Sequence, residues 1–230
     1  MKRWIGTSLS ILIVFAWALQ SRAQQAKDFQ SEFKVDKKNL GVTGSNPYFN
    51  LTPGFQLSYQ DGKEKDIVTV LNETKRIDGI DARVVEDREL DSNGKVAEVT
   101  RDYYAIDSAS NDVYYMGEDV DVYDKSGKVT SHEGSWLSGV KGAKFGLFIP
   151  ANPKVGQQFY QEQAPGVAMD RVEIVSVSET IKVPAGKYTK VVHLVETTPL
   201  EKGAKANKFY VSGIGPVKDD EMDLVKYGMK

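Results

Sequence analysis

From about residue 48 onward, apolar and polar positions alternate in short runs rich in Val, Ile, Thr, Tyr and Phe. Such runs read as half-buried strands. Turn pairs separate them: Asp61-Gly62, Asp78-Gly79, Asn93-Gly94 and Ser126-Gly127. Asp-Gly and Asn-Gly accept the positive φ angles that tight hairpin turns need. A further loop falls at Asp107 to Asn111. The pattern predicts strands over 55–60, 66–77, 80–91, 95–107, 112–123, 128–133, 157–164, 170–182, 187–198, 206–212 and 215–219. No long stretch keeps a 3.6-residue apolar rhythm with caps, so little helix is expected. Consecutive hairpins make an antiparallel meander, and about ten such strands curl or close rather than stay flat. The expected fold is all-β: a curved half-barrel or an up-and-down barrel.

Three segments depart from the alternation. Residues 137–156 hold Gly139, Gly142, Gly146, Gly156, Pro150 and Pro153 around the run Phe145-Gly146-Leu147-Phe148-Ile149. They read as a long irregular loop, either a crossover whose apolar residues finish the core or a lid at the mouth of a pocket. Residues 24–44 are mostly polar, with Phe29, Phe33 and Val35 the bulky apolar exceptions, and read as an N-terminal arm and linker. Residues 1–23 read as a signal peptide: Lys2 and Arg3, an apolar core from Ile5 to Leu19, then Ser21-Arg22-Ala23 before a cut at Gln24. That core is shorter than the ~20 residues a membrane span requires. Residues 45–230 are then a single β domain, and the expected address is periplasmic or extracellular.

The chain has 230 residues, 40% of them hydrophobic and 27% charged, and no cysteine. Thiol nucleophiles, thiolate metal sites and disulfides are therefore excluded. Cleavage would remove three basic residues and no acid, so the mature net charge is about −5, which argues against a nucleic-acid surface. No serine-hydrolase elbow, phosphate loop, dinucleotide fingerprint or zinc-protease helix appears. No cofactor and no metal site is implied.

The candidate chemistry lies in a few acids and aromatics. Alternation over 112–123 puts Tyr114, Met116 and Glu118 on the more apolar face, so Glu118 is expected inward; a buried acid must be paired, hydrogen-bonded or neutralised. Glu162 shares a face with Tyr160, Glu133 precedes Gly134-Ser135-Trp136, and Asp170 opens the next strand. These acids could line a polar pocket or form an internal network with tyrosines and basic residues. The pairs Tyr103-Tyr104 and Tyr114-Tyr115 put one ring on each face of the sheet. His193, in an apolar strand, reads as a hydrogen-bonded residue rather than a ligand.

The motifs Tyr103-Tyr104-Ala105-Ile106-Asp107, Val113-Tyr114-Tyr115-Met116-Gly117-Glu118, Glu133-Gly134-Ser135-Trp136, Gln161-Glu162 and Gly213-Ile214-Gly215-Pro216-Val217-Lys218 belong together. With Val183-Pro184-Ala185-Gly186 they resemble a family of uncharacterised exported bacterial β-rich proteins, over roughly residues 66–219. The resemblance implies a bacterial, exported, β-rich protein and carries no activity. The chain departs from that pattern at Phe145 and Met169, where the family has Pro and an acid. At the level of fold alone the meander is also similar to LolA-like periplasmic half-barrels, which bind acyl chains.

The reading that follows is a non-enzymatic binding module for a small or lipophilic ligand. Tyr114, Trp136, Phe145 and Phe148 would be its apolar lining, and Glu118, Glu133 and Glu162 its polar contacts. The alternatives are an envelope structural or interaction protein with a filled core, and a metal-dependent hydrolase using the acids with His132 or His193.

Overall fold

The alternating runs do pair, in sequence order, into one antiparallel sheet in a computed structural model that describes residues 29–230. Residues 1–23, read above as a signal peptide, lie outside the described residues. The strands are β1 (Leu40–Gly41), β2 (Phe55–Asp61), β3 (Glu64–Ile77), β4 (Ile80–Leu90), β5 (Val96–Asp107), β6 (Val113–Tyr123), β7 (Val129–Ser131) and β8 (Trp136–Leu137). They continue as β9 (Lys144–Ile149), β10 (Gln158–Tyr160), β11 (Glu162–Gln163), β12 (Arg171–Val183), β13 (Gly186–Thr197), β14 (Lys205–Val211), β15 (Gly215–Asp219) and β16 (Met222–Met229). The turn between β3 and β4 has positive φ at both Asp78 and Gly79, as the pair predicts.

The sheet runs β10-β12-β13-β14-β15-β16-β2-β3-β4-β5-β6-β9-β11. Its two terminal strands, β10 and β11, are separated in the chain by Gln161 alone, so the sheet curls into a barrel with one seam. Four strands were not expected: the two-residue β1 and β8, and the longer β9 and β16. The C-terminal β16 pairs with both β15 and β2 and joins the end of the meander to its start. The supposed loop 137–156 contains β9, which pairs with β6 and β11, so Phe145 and Phe148 belong to the barrel wall rather than to a lid.

The seam is held by side chains where the ladder stops. Gln161 and Gln163 donate from Nε2 to the carbonyls of Phe148 and Phe145, at 2.6 and 2.8 Å. Gln161 is almost fully buried. The chain at Gln161 comes so close to Gly146 that a Cβ there would lie 2.2 Å from the Gln161 oxygen. The glycine that made 137–156 look like a loop is thus the residue that lets the barrel shut. The N-terminal arm covers the free edge of β10: Gln30 N–H donates to Gln158 O and Gln30 O accepts from Tyr160 N–H, both at 2.9 Å. Farther along, Glu32 pairs with Lys144 and Lys37 with Asp78. Apart from a 3-10 turn at Lys37–Asn39, the described part of the arm has no helix.

The loop 42–53 folds under one end of the barrel, and Phe49 enters it to pack on Tyr104 and Phe148, with ring centroids 4.7 and 4.8 Å apart. Phe55, Leu57, Val70, Val85, Leu194 and Tyr210 fill the interior beside this plug. Each fully buried aliphatic or aromatic side chain of this kind stabilises the fold by about 1.5–3 kcal/mol.

Candidate functional site

Residues opposite one another in an antiparallel ladder share a face, so the pairing decides which acids point inward. Tyr59 opposes Asp66, Asp66 opposes Glu89, and Val68 opposes Asp87. Val85 opposes Asp102, and Asp102 opposes Glu118. Leu194 opposes Lys208, and Lys208 opposes Asp219. The inward face therefore changes character along the barrel. It is apolar beside Phe49 and acidic toward the hairpin turns at Asp61-Gly62 and Asn93-Gly94.

A cavity of about 210 Å³ sits where the two zones meet. That is the space of about seven waters. Seven carboxylates line it (Asp66, Asp87, Asp102, Glu162, Asp170, Glu196 and Asp219), with Lys208 the single cation. Tyr59, Tyr104, Tyr115, Tyr210, Phe49 and Phe148 complete the wall. Tyr104 and Tyr115 stack at 4.8 Å, while Tyr103 faces outward and donates to Asp119.

The acids are not equivalent. Lys208 Nζ sits 3.0 Å from Glu196 and 3.2 Å from Asp219. Burial pulls the Lys208 ammonium downward, but these two carboxylates outweigh it and hold the pKa well above the usual lysine value. Burial raises Glu196 itself, against the attraction of Lys208. Asp66 and Asp87 lie together on the wall, and burial raises both, so the pair holds a proton. The buried Oδ1 atoms of both have no hydrogen-bond partner. Asp102 accepts a short hydrogen bond from the Tyr115 hydroxyl, yet burial with Asp87 and Glu118 nearby holds its carboxyl well up.

Glu118 is pushed up to about 7, first by burial, against hydrogen bonding from Tyr115 and the approach of the Trp136 indole. The Trp136 Nε1 makes no hydrogen bond of normal geometry. Burial raises Glu162 far above the ordinary range, and the charges of Glu118, Asp170 and Glu196 push it the same way. No hydrogen bond or ion pair reaches the carboxylates of Glu162 and Asp170, and both face the cavity.

The expected site residues divide. Glu162 and Phe148 line the cavity, and Glu118 and Trp136 sit opposite one another on the inward face beside it. Tyr114 and Phe145 are a correction: they lie on the outer face, where Tyr114 packs edge-on against Phe145 and against Phe33 of the arm. The cause is a bulge in β6. Tyr103 opposes Gly117 and Tyr104 opposes Tyr115, which leaves Met116 unopposed and reverses the alternation. Gly117 makes the bulge possible, with φ +127° and a Cβ position 2.3 Å from the Trp136 oxygen. Glu133 is exposed, outside the cavity.

His193 is hydrogen-bonded to Glu179 and Asn207, both at 3.0 Å, and stacks on Phe209 away from the cavity. His132 lies against the Val120 carbonyl and Asp121. Neither histidine meets the interior acids. Among the described residues, no three acid or imidazole groups converge as metal ligands do. Asp66, Asp87, Asp102, Glu196, Lys208 and Asp219 were not singled out from the sequence. Their signal is phase: each sits two or four residues from a buried apolar residue of its own strand or its ladder partner.

A larger concavity of about 620 Å³ lies at the plugged end, lined by residues 42–47, 49–53, Ile106 and Ser212-Gly213. Its one charged residue, Arg83, donates to the carbonyls of Leu71 and Glu73, which sit in an irregular stretch of β3. Both bonds come from Nη1, and the buried Nε of Arg83 has no hydrogen-bond partner.

No family model matches the chain, and no curated protein matches it. Among solved structures, a protein of Bacteroides fragilis NCTC 9343, described as exported and of YmcC-like fold, aligns over 80% of this chain and 100% of its own. The identity is 15% and the TM-score 0.36, a likeness that carries no argument about what this chain does. Among the described residues no helix is long and apolar enough to cross a membrane, which says nothing of strands.

Proposed function

We propose that the protein is an exported, non-enzymatic binding module whose barrel interior takes a small polar ligand. The observation that carries this reading is the cavity itself: it is walled by carboxylates, the buried Oδ1 atoms of Asp66 and Asp87 have no hydrogen-bond partner, and none reaches the carboxyls of Glu162 and Asp170. Burying an unpartnered carboxylate costs several kcal/mol. A core built for stability alone would carry apolar side chains there. The wall disfavours an acyl chain, since a methylene against a carboxylate satisfies neither group. Export is supported by Lys2, Arg3, the apolar run to Leu19 and the small residues before Gln24.

Native mass spectrometry of the protein purified from a secreting bacterial host tests this directly. A co-purifying small molecule, lost on mild activation and accompanied by a chain beginning at Gln24, is the expected result. A bare mass from several hosts, with no gain on exposure to metabolite mixtures, would instead favour a structural or interaction protein.

A further inference from the structure

We propose that the ligand is a small organic cation with two or more N–H groups, an amine or amidine seated against Glu162 and Asp170. This rests on the binding reading above and names its chemistry.

The cavity contains one cation, and it is already engaged: Lys208 serves Glu196 and Asp219. Asp102 is answered by Tyr115, and Asp66 and Asp87 form a proton-holding pair whose Oδ1 atoms stay unpartnered. Glu162 and Asp170 are left, with Glu118 beside them. Once ionised, a carboxylate is an acceptor only, so what completes this corner in that state must donate. A neutral donor would not offset the negative charge these acids take on when they lose their protons. A cation satisfies both demands at once.

A single metal ion fits poorly, because the acids are spread around the wall rather than converging. A molecule with N–H groups at two ends matches that spread. Its methylenes would meet the stacked faces of Tyr104 and Tyr115, rings that also attract cations. About 210 Å³ limits it to a handful of heavy atoms.

The proposal has a proton signature. The groups that face Glu162 are Glu118 from β6, Asp170, Glu196 from β13 and Lys208 from β14. Three of these four are acids, so in the empty barrel Glu162 and Glu118 hold protons that a cation must displace. Binding should strengthen as pH rises and should release protons.

The experiment is calorimetric titration of the purified protein with 1,4-diaminobutane, 1,4-butanediol and calcium, at pH 5.5 and 7.5, in buffers of different ionisation heat. The diamine should bind at least tenfold more tightly than the diol or calcium, more tightly at pH 7.5, with net proton release. Glu162→Gln should weaken the diamine at least tenfold, whereas Glu133→Gln, outside the cavity, should leave it unchanged. A diol or a calcium ion that binds as well as the diamine would overturn the cation assignment and leave the binding module standing. So would an unaltered diamine affinity in a folded Glu162→Gln protein. If no probe binds up to millimolar concentration and the native mass is bare, both readings fall. The diamine-to-diol comparison uses the unmodified protein and does not depend on any variant folding.

Discussion

Glu118 makes a quantitative prediction about stability. Its carboxyl is raised to about 7 in the fold, chiefly by burial, against 4.5 for an ordinary glutamate. Between these values the native protein keeps a proton that the unfolded chain has released. The unfolded chain binds fewer protons there, so stability falls as pH rises. Each pKa unit corresponds to about 1.36 kcal/mol, so the complete effect is roughly 3 kcal/mol, reached above pH 7. Between pH 5 and pH 8 the two titrations leave a difference of about 2.5 kcal/mol attributable to this one group. Glu162, Asp66, Asp87 and Asp102 act with the same sign, so the whole protein should be more stable at pH 5 than at pH 8.

Urea unfolding of the wild type and of Glu118→Gln at both pH values measures this. Glutamine keeps the shape, but it does not titrate. At pH 5 the two proteins should differ by about 1 kcal/mol or less. At pH 8 the variant should be the more stable by roughly 3 kcal/mol, and its loss between pH 5 and 8 should be smaller by about 2.5 kcal/mol. For a domain of this size that is a melting difference of about 6–12 °C at pH 8. The subtraction removes every titration that the two proteins share. If both lose the same stability between pH 5 and 8, or if the wild type gains stability over that range, Glu118 is not a buried, proton-holding acid.

Three further substitutions test the architecture. Gly146→Ala should cost more than about 3 kcal/mol in urea unfolding, because its Cβ would meet backbone across the seam at 2.2 Å, and a wild-type-like midpoint would show that the seam can yield. Gln161→Leu should cost about 1–3 kcal/mol by orphaning the Phe148 carbonyl, and hydrogen exchange should rise in β9 and β10 before the rest of the sheet. Lys208→Met should cost about 3–5 kcal/mol at pH 8 by stranding Glu196 and Asp219, with a smaller penalty at pH 5, where Glu196, raised by burial, takes a proton more readily; an equal penalty at both pH values would place its role in packing instead.

The meander was legible because its hairpins carry their own signals: inward alternation on both sides of an Asp-Gly or Asn-Gly pair. The two longer missed strands lack such signals for different reasons. β9 contains Gly146 and is flanked by glycines and prolines, yet that glycine is demanded by the approach of Gln161 across the seam. β16 follows Asp219-Asp220-Glu221 and shows only Leu224 as a buried residue, so its alternation is too weak to mark a strand. It is nevertheless the strand that joins β15 to β2. At the site, Glu118 and Glu162 stood out because each acid interrupts an aromatic neighbourhood. Asp66, Asp87 and Lys208 did not, since a polar residue at alternate positions ordinarily marks the solvent face. Here both faces of the strands are polar at one end of the barrel, and alternation cannot tell them apart. The Met116–Gly117 bulge is likewise invisible to a strict period of two, and it moved Tyr114 to the outside while Tyr115 took its place.

The fold also shows how it deals with an ammonium. Lys208 enters from β14 and lies between Glu196 of β13 and Asp219 of β15, one acid on each neighbouring strand. The pair of acids keeps its proton on the lysine despite burial. Glu162 and Asp170 form a comparable acidic corner on the seam side, held by the backbone bond from Glu162 N–H to Asp170 O at 3.1 Å, with no lysine of their own. Filling that corner with a second internal lysine, or with two apolar residues, would have removed the cost of burying it. The chain does neither. It holds the corner rigid with the seam glutamines and lines it with tyrosine rings. That arrangement is preorganised for a cation from outside, because the acceptors are fixed before the guest arrives and little ordering remains to be done on binding.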